Sequence, residues 1–240
     1  MVTKNQIKLV TSLQQKKYRT QHGLFVVEGK KSVSELLAEG LVPFKIFIDP
    51  AFKGMDIEEA VTVNNRDLKQ MSGFTTPSGV LGVFHMPEPK EVQEADWVMA
   101  LDAVRDPGNL GTIIRLCDWF GIKHLVCSPD TVDCYNQKVL QATMGSIARV
   151  QIDYVELPDF LKATKLPIYG AFMDGETIYQ EDIPEKGILI MGNEANGISQ
   201  EVEKTVANRV SIPQFGVQSA ESLNVATATA ILLNEIRRNS

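Results

Sequence analysis

The sequence predicts an α/β protein whose larger, carboxy-terminal part is a parallel sheet covered on both faces, preceded by a smaller α/β unit. Three observations carry this. From residue 96 onward, short apolar runs alternate with helical patterns, which is how a parallel sheet and its crossovers read. Residues 86–96 (MPEPKEVQEAD) hold two prolines and four acids with almost nothing to bury, so they read as a linker. The composition is that of a soluble globular chain, 44% hydrophobic and 22% charged.

In chain order, residues 5–19 read as a helix, because Ile7, Val10 and Leu13 recur at helical spacing. LFVVEG (24–29) is an apolar strand ending in a turn, and 31–39 is a helix stopped by Gly40. FKIFID (44–49) is a second strand, 66–72 a short helix and GVLGVFHM (79–86) a third strand. In the larger part, strands are expected at 96–103, 123–128, 166–173, 187–192 and 209–213. Helices are expected at 109–120, stopped by Gly121, at 136–145 and at 222–238. The boundaries that follow are a first domain at 1–88, a linker at 89–95 and a second domain at 96–240.

No apolar run approaches the roughly 18 residues of a membrane span. The first residues lack the apolar centre of a signal peptide, so a cytoplasmic location is expected. Cys117, Cys127 and Cys134 show no paired spacing, and the histidines are His22, His85 and His124 alone, so no disulfide frame or metal site is expected. The net charge of −6 conceals an asymmetry. Residues 1–31 carry Lys4, Lys8, Lys16, Lys17, Arg19, Lys30 and Lys31 against Glu28 alone. A basic end on an acidic body suits a polyanionic partner, and it equally suits a solvated helix face.

Ligands of open parallel sheets bind beyond the carboxyl ends of the strands. Three strands here run into loops rich in glycine, amide and hydroxyl groups: 102–111, 192–197 and 214–222. Each alone reads as turn chemistry; three on one sheet edge read as a pocket. Nucleotide loops fail on spacing. No GxGxxG occurs, and although Gly192 and Gly197 are spaced as in a phosphate-binding P-loop, Ile198 stands where its lysine must be. A serine-hydrolase elbow, GxSxG, is absent too. Asn109 is a candidate cap for the helix that follows it. Arg115, on a mostly apolar helix, needs an ion pair such as Asp118 or a pocket holding an anion. Ser222 is placed to cap the final helix, whose alternating Ala226, Ala228 and Ala230 make it slim.

NLGTIIR (109–115), IMGNEANGIS (190–199) and SIPQFG…SLNVATATAI (211–231) resemble the three signature motifs of the SpoU, or TrmH-like, RNA ribose methyltransferases of the SPOUT superfamily. LFVVEG and TPSGVLGVF (76–84) resemble the small substrate-binding domain that precedes many of them, so the likeness spans nearly the whole chain. It implies a deep trefoil knot in the second domain and a ribosomal-protein-like fold in the first. The implied cofactor is S-adenosylmethionine, and the implied reaction is methyl transfer to a ribose 2′-hydroxyl of RNA, with ribosomal RNA favoured over transfer RNA. A homodimer through the knotted domain is implied, with Ala230, Ile231 and Leu232 as apolar contacts.

Residue by residue, the family's motif positions fall on Asn109, Arg115, Glu194, Ser222 and Asn224 as the catalytic set. Met191, Gly192, Ile212, Pro213 and Leu223 fall on the cofactor loops. Lys16, Lys17 and Arg19 are the expected RNA contacts. Two departures from the family pattern are visible: the segment between Gly216 and Ser222 is long, and Gln214 stands where methionine is frequent. A non-catalytic RNA-binding factor and a base methyltransferase are the competing readings. The intact motif set disfavours the first, and Arg115 with the SLN run at 222–224 disfavours the second.

Overall fold

A computed structural model gives the structure of residues 2–52, 57, 60–216 and 222–238. In chain order the elements are α1 (Lys4–Ser12), α2 (Lys16–His22), β1 (Leu24–Glu28), α3 (Lys30–Ala38), β2 (Pro43–Ile48), β3 (Val61–Thr62), α4 (Asn65–Met71) and β4 (Val80–His85). They continue as β5 (Val98–Leu101), α5 (Pro107–Trp119), β6 (His124–Cys127), α6 (Gln137–Thr143), β7 (Gln151–Tyr154), α7 (Leu157–Ala163), β8 (Ile168–Thr177), β9 (Ile188–Met191), α8 (Gln200–Glu203), β10 (Asn208–Ser211) and α9 (Val225–Arg237).

Two compact units form. The first is residues 1–88 together with 133–148; the second is 89–132 together with 149–240. The single domain expected over 96–240 therefore lacks one segment. Residues 133–148 pack with the first unit because α6 lies against β1 and the 3-10 turn at Ser146–Ala148 against α3. Two polar ties reinforce this. Gln137 Nε2 donates to the Glu28 carboxylate (2.5 Å), and Asp133 pairs with Arg19. Glu28 also accepts from Ser72 Oγ (2.6 Å) and the Gly73 amide (2.8 Å). Burial pushes its carboxyl above the ordinary range, partly offset by these three donors.

The first unit is a four-stranded sheet in the order β1-β4-β2-β3. Its core gathers Val10, Leu13, Phe47, Leu68, Leu81 and Val83. The helix expected over 5–19 breaks in two. Thr3 and Gln6 form a reciprocal capping box that starts α1. Thr11 and Ser12 then turn their hydroxyls back onto the carbonyls of Ile7 (2.9 Å) and Leu9 (2.7 Å). Arg19 completes the elbow: Nη1 donates to the carbonyls of Leu13 (2.9 Å) and Gln14 (2.8 Å), and Nη2 pairs with Asp133. Arg19 is 4% exposed, so it is not available to RNA as expected; it is a buried tie that holds the elbow. Arg19→Ala should lower stability by about 3–5 kcal/mol, because Asp133 then loses its counter-charge. Urea unfolding checks this, and a variant as stable as the parent would refute it.

In the second unit the six strands run parallel in the order β10-β8-β9-β5-β6-β7. Every residue of β5, β6 and β9 is buried, as expected of strands covered on both faces. β8 runs on to Thr177, past the expected end at 173. β10 pairs first with Tyr169 and Gly170 and then shifts to Glu176 and Thr177. β3, β7, α7 and α8 are too short or too weakly patterned to be read from sequence.

Two caps differ from expectation. Asp106 caps α5, accepting from the Asn109 amide (2.8 Å), with Pro107 in the first turn. Asn224 caps α9, accepting from the amides of Ala226 (3.0 Å) and Thr227 (3.2 Å), so Ser222 lies outside the helix. Among the described residues no helix is long and apolar enough to cross a membrane, and no group of three His, Cys, Asp or Glu could hold a metal.

Candidate active site

The site lies in the second unit, where β5 and β9 end side by side with Leu101 opposite Met191. Just beyond β5, the buried Asp102 accepts from the Ser199 amide (2.7 Å). Ala103 follows in the left-handed region (φ 57°), unusual for a residue with a Cβ. It is held there from two sides. Its amide donates to Ser128 Oγ (2.8 Å), and its carbonyl accepts from Asn193 Nδ2 (2.7 Å).

Asn193 organises the second loop. Its Oδ1 accepts from the amides of Ala195 (3.0 Å) and Asn196 (3.1 Å), and its backbone exchanges two 2.9 Å bonds with Gly197. The turn closes so tightly that a Cβ on Gly192 would stand 2.2 Å from the Gly197 carbonyl carbon. Asn193 escaped the sequence reading, although an Asn at the head of a short Gly-closed loop is the usual signature of a side chain folding back on its own backbone.

Three of the expected residues meet. Asn224 Nδ2 donates to Asn109 Oδ1 (2.9 Å), and Asn109 Nδ2 donates to Glu194 Oε1 (3.0 Å). The chain of bonds ends on a carboxylate, which strengthens it, and it ties the starts of α5 and α9 to the loop after β9. Asp106 takes the capping role at α5, which leaves the Asn109 side chain free for this task. Glu194 is thus held by Asn109 through Oε1, with Asn193 Nδ2 3.5 Å from its Oε2.

Beside this rim lies a cavity of about 620 Å³. Met191, Gly192, Ile212, Pro213 and Leu223, the expected cofactor positions, all line it, as do Glu194 and Ser222. Phe172, Val210, Val225 and Leu232 add apolar wall that the sequence did not reveal. Residues 217–221 of the third loop lie outside the described residues.

Arg115 stands apart. It is exposed on α5, does not line the cavity, and its guanidinium has no partner among the described residues. The candidate partner Asp118 is taken by Arg149, through Nε to Oδ1 (3.0 Å) and Nη2 to Oδ2 (2.9 Å). One turn beyond Arg115, Trp119 is 84% exposed. Leu232 is buried within its own unit and so is no surface contact.

Residues 96–234 match the SpoU rRNA Methylase family. The chain belongs to this family. Residues 4–82 of this SpoU protein match the MRM3-like substrate binding domain. It is 37% identical over 245 residues to the 23S rRNA (guanosine(2553)-2′-O)-methyltransferase RlmP of Bacillus subtilis (strain 168), covering 98% of this chain and 97% of the relative. Among solved structures, a TrmH-family RNA methyltransferase described as putative, from Porphyromonas gingivalis, superposes with TM-score 0.91 at 40% identity over the whole of both chains. An AdoMet-bound rRNA methyltransferase from Sinorhizobium meliloti superposes with TM-score 0.85 at 30% identity, covering 99% of this chain and 96% of that one. The α/β fold with its six-stranded parallel sheet is thus that of the SpoU and TrmH structures.

Proposed function

We propose that this protein transfers a methyl group from S-adenosylmethionine to a ribose 2′-hydroxyl of ribosomal RNA. The observation that carries the reading is the Asn224–Asn109–Glu194 chain on the rim of the cavity, formed by three residues that the family motifs mark. The cavity fits the cofactor. It has apolar wall for an adenine, and Ile212 and Leu223 have no backbone hydrogen-bond partner among the described residues, leaving amides and carbonyls for polar edges. The likeness to RlmP, a 23S rRNA enzyme by name, favours ribosomal over transfer RNA.

The cofactor supplies a methyl group already activated on a sulfonium. The protein's part is to align the ribose oxygen and help it lose its proton, and alignment alone is worth up to about 7–11 kcal/mol. Met191, Gly192, Ile212, Pro213 and Leu223 hold the cofactor. Asn109, Glu194, Ser222 and Asn224 set the rim against which the ribose is placed. The free guanidinium of Arg115 grips a phosphate and stabilises negative charge on the attacking oxygen.

Because Arg115 is exposed and does not line the cavity of its own chain, the active form is a homodimer through the second unit, with Arg115 completing the partner's site. Exposed Trp119 on the same face of α5 supports this. Light scattering should give twice the chain mass, and Trp119→Glu should shift it toward one; an active monomer would overturn the dimer. The knotted path implied by the family and a cytoplasmic location belong to the same reading.

Lys16 and Lys17, exposed on α2, contribute salt-dependent RNA affinity by releasing counterions. Replacing both with Ala should weaken RNA binding and flatten its dependence on salt while leaving cofactor affinity unchanged. An unaltered salt slope would return them to the solvated face. The reading as a whole is tested by calorimetry of cofactor binding, followed by digestion of methylated ribosomal RNA to nucleosides and mass spectrometry. A methylated base in place of a 2′-O-methyl ribose, or no cofactor binding, would overturn it.

A further inference from the structure

The break between α1 and α2 opens a groove that a continuous helix would not have. It is lined by Asn5, Lys8, Ser12, Gln15, Tyr18 and His22. Three features single it out. No Asp or Glu occurs anywhere in residues 2–27, in a chain that holds 30 of them. The side chains of Asn5, Lys8, Gln15 and His22 and the hydroxyl of Tyr18 have no partner among the described residues, so the wall offers unspent donors and acceptors. Tyr18 presents an aromatic ring with the Lys17 ammonium 5.8 Å from its centre, which adds cationic character at the ring. The elbow is also rigid, because Arg19 ties the Leu13 and Gln14 carbonyls in place from within.

We propose that this groove binds a single unstacked nucleotide of the RNA substrate, its base stacked on Tyr18 and its phosphate held by Lys8. This rests on the reading that the substrate is RNA and specifies which part of it the first unit takes. An aromatic face among amides and cations is the usual platform for an unpaired base. An acidic peptide would use the lysines but leave the ring and amides without a role.

The test uses the full chain and a short single-stranded oligouridylate carrying one 4-thiouridine. Irradiation should crosslink the thiobase to a peptide containing Tyr18. In solution, Tyr18→Ala should weaken binding of the unmodified oligonucleotide about tenfold, the scale of losing one base stack. Tyr18→Phe should bind nearly as the parent does, and polyglutamate should not displace the RNA. Crosslinks confined to peptides outside 4–22, undiminished binding by Tyr18→Ala, or displacement by polyglutamate would overturn the proposal. The crosslink is read on the parent protein, so it decides the matter even if a variant folds poorly. Neither readout needs methyl transfer. A protein that crosslinks through Tyr18 without methylating keeps the groove and loses the proposed activity. One that methylates while Tyr18→Ala binds normally keeps the activity and loses the groove.

Discussion

Arg115→Ala is expected to lower methyl transfer by about a hundredfold or more, the scale of losing one charge-stabilising group, while cofactor affinity stays within a few-fold. Arg115 is exposed and lies outside the cavity wall, so its removal takes no contact from the cofactor. Asp118 is already satisfied by Arg149, so removal leaves no carboxylate unpaired and the melting temperature should hardly move. Arg19, whose loss should cost several kcal/mol, is the contrasting case. Arg115→Lys should rescue little, because an ammonium cannot reproduce the bidentate fork of a guanidinium. The paired measurement is calorimetry of cofactor binding and single-turnover methylation of saturating RNA. A folded Arg115→Ala protein that methylates at nearly the parent rate would remove Arg115 from the mechanism.

Gly192→Ala is expected to do the reverse, weakening cofactor binding by up to about a hundredfold at the outset. A Cβ there would meet the Gly197 carbonyl carbon at 2.2 Å and the Ile198 amide nitrogen at 2.3 Å, both backbone atoms that no rotamer change can move aside. Relief requires the turn 193–197 to open. That breaks the paired bonds of Asn193 with Gly197 and its hold on the Ala103 carbonyl, and it carries Glu194 away from Asn109. Overpacking of this kind costs about 1–3 kcal/mol. Where it distorts the binding loop, the upper end corresponds to about a hundredfold in affinity. Gly216→Ala is the control: its Cβ would meet nothing within 4 Å, and binding should be retained. Normal cofactor affinity in Gly192→Ala would mean that the tight turn does not shape the site.

What could be read from the sequence is what short-range physics decides. The buried strands declare themselves because both faces are covered, leaving uninterrupted apolar runs such as VMAL at β5 and ILIM at β9. The loops after β5, β9 and β10 declare themselves by turn residues, and motif resemblance placed the cofactor positions at the end of β9 and in the segment between β10 and α9. All five of those positions line the cavity. The caps were misplaced by three residues at α5 and two at α9, because neighbouring Asp106 and Asn109, or Ser222 and Asn224, are equally good caps by residue type. The choice between them depends on what else each side chain can reach.

That choice is where tertiary structure takes over. Asn109 meets Glu194 across 85 positions of chain and Asn224 across 115. Arg19 meets Asp133 across 114. No local pattern encodes such pairings, because they form only after folding has brought segments distant in the chain together. By itself the sequence determined the positions of the strongly apolar strands, though not of β3 and β7, together with the loop chemistry and the residue types needed for a methyl-transfer site. Only the tertiary structure decided that Arg19 is buried while Arg115 is free. A guanidinium's fate depends on whether folding delivers a carboxylate to it: Asp133 reaches Arg19, whereas Asp118, the carboxylate nearest Arg115 in sequence, is claimed by Arg149.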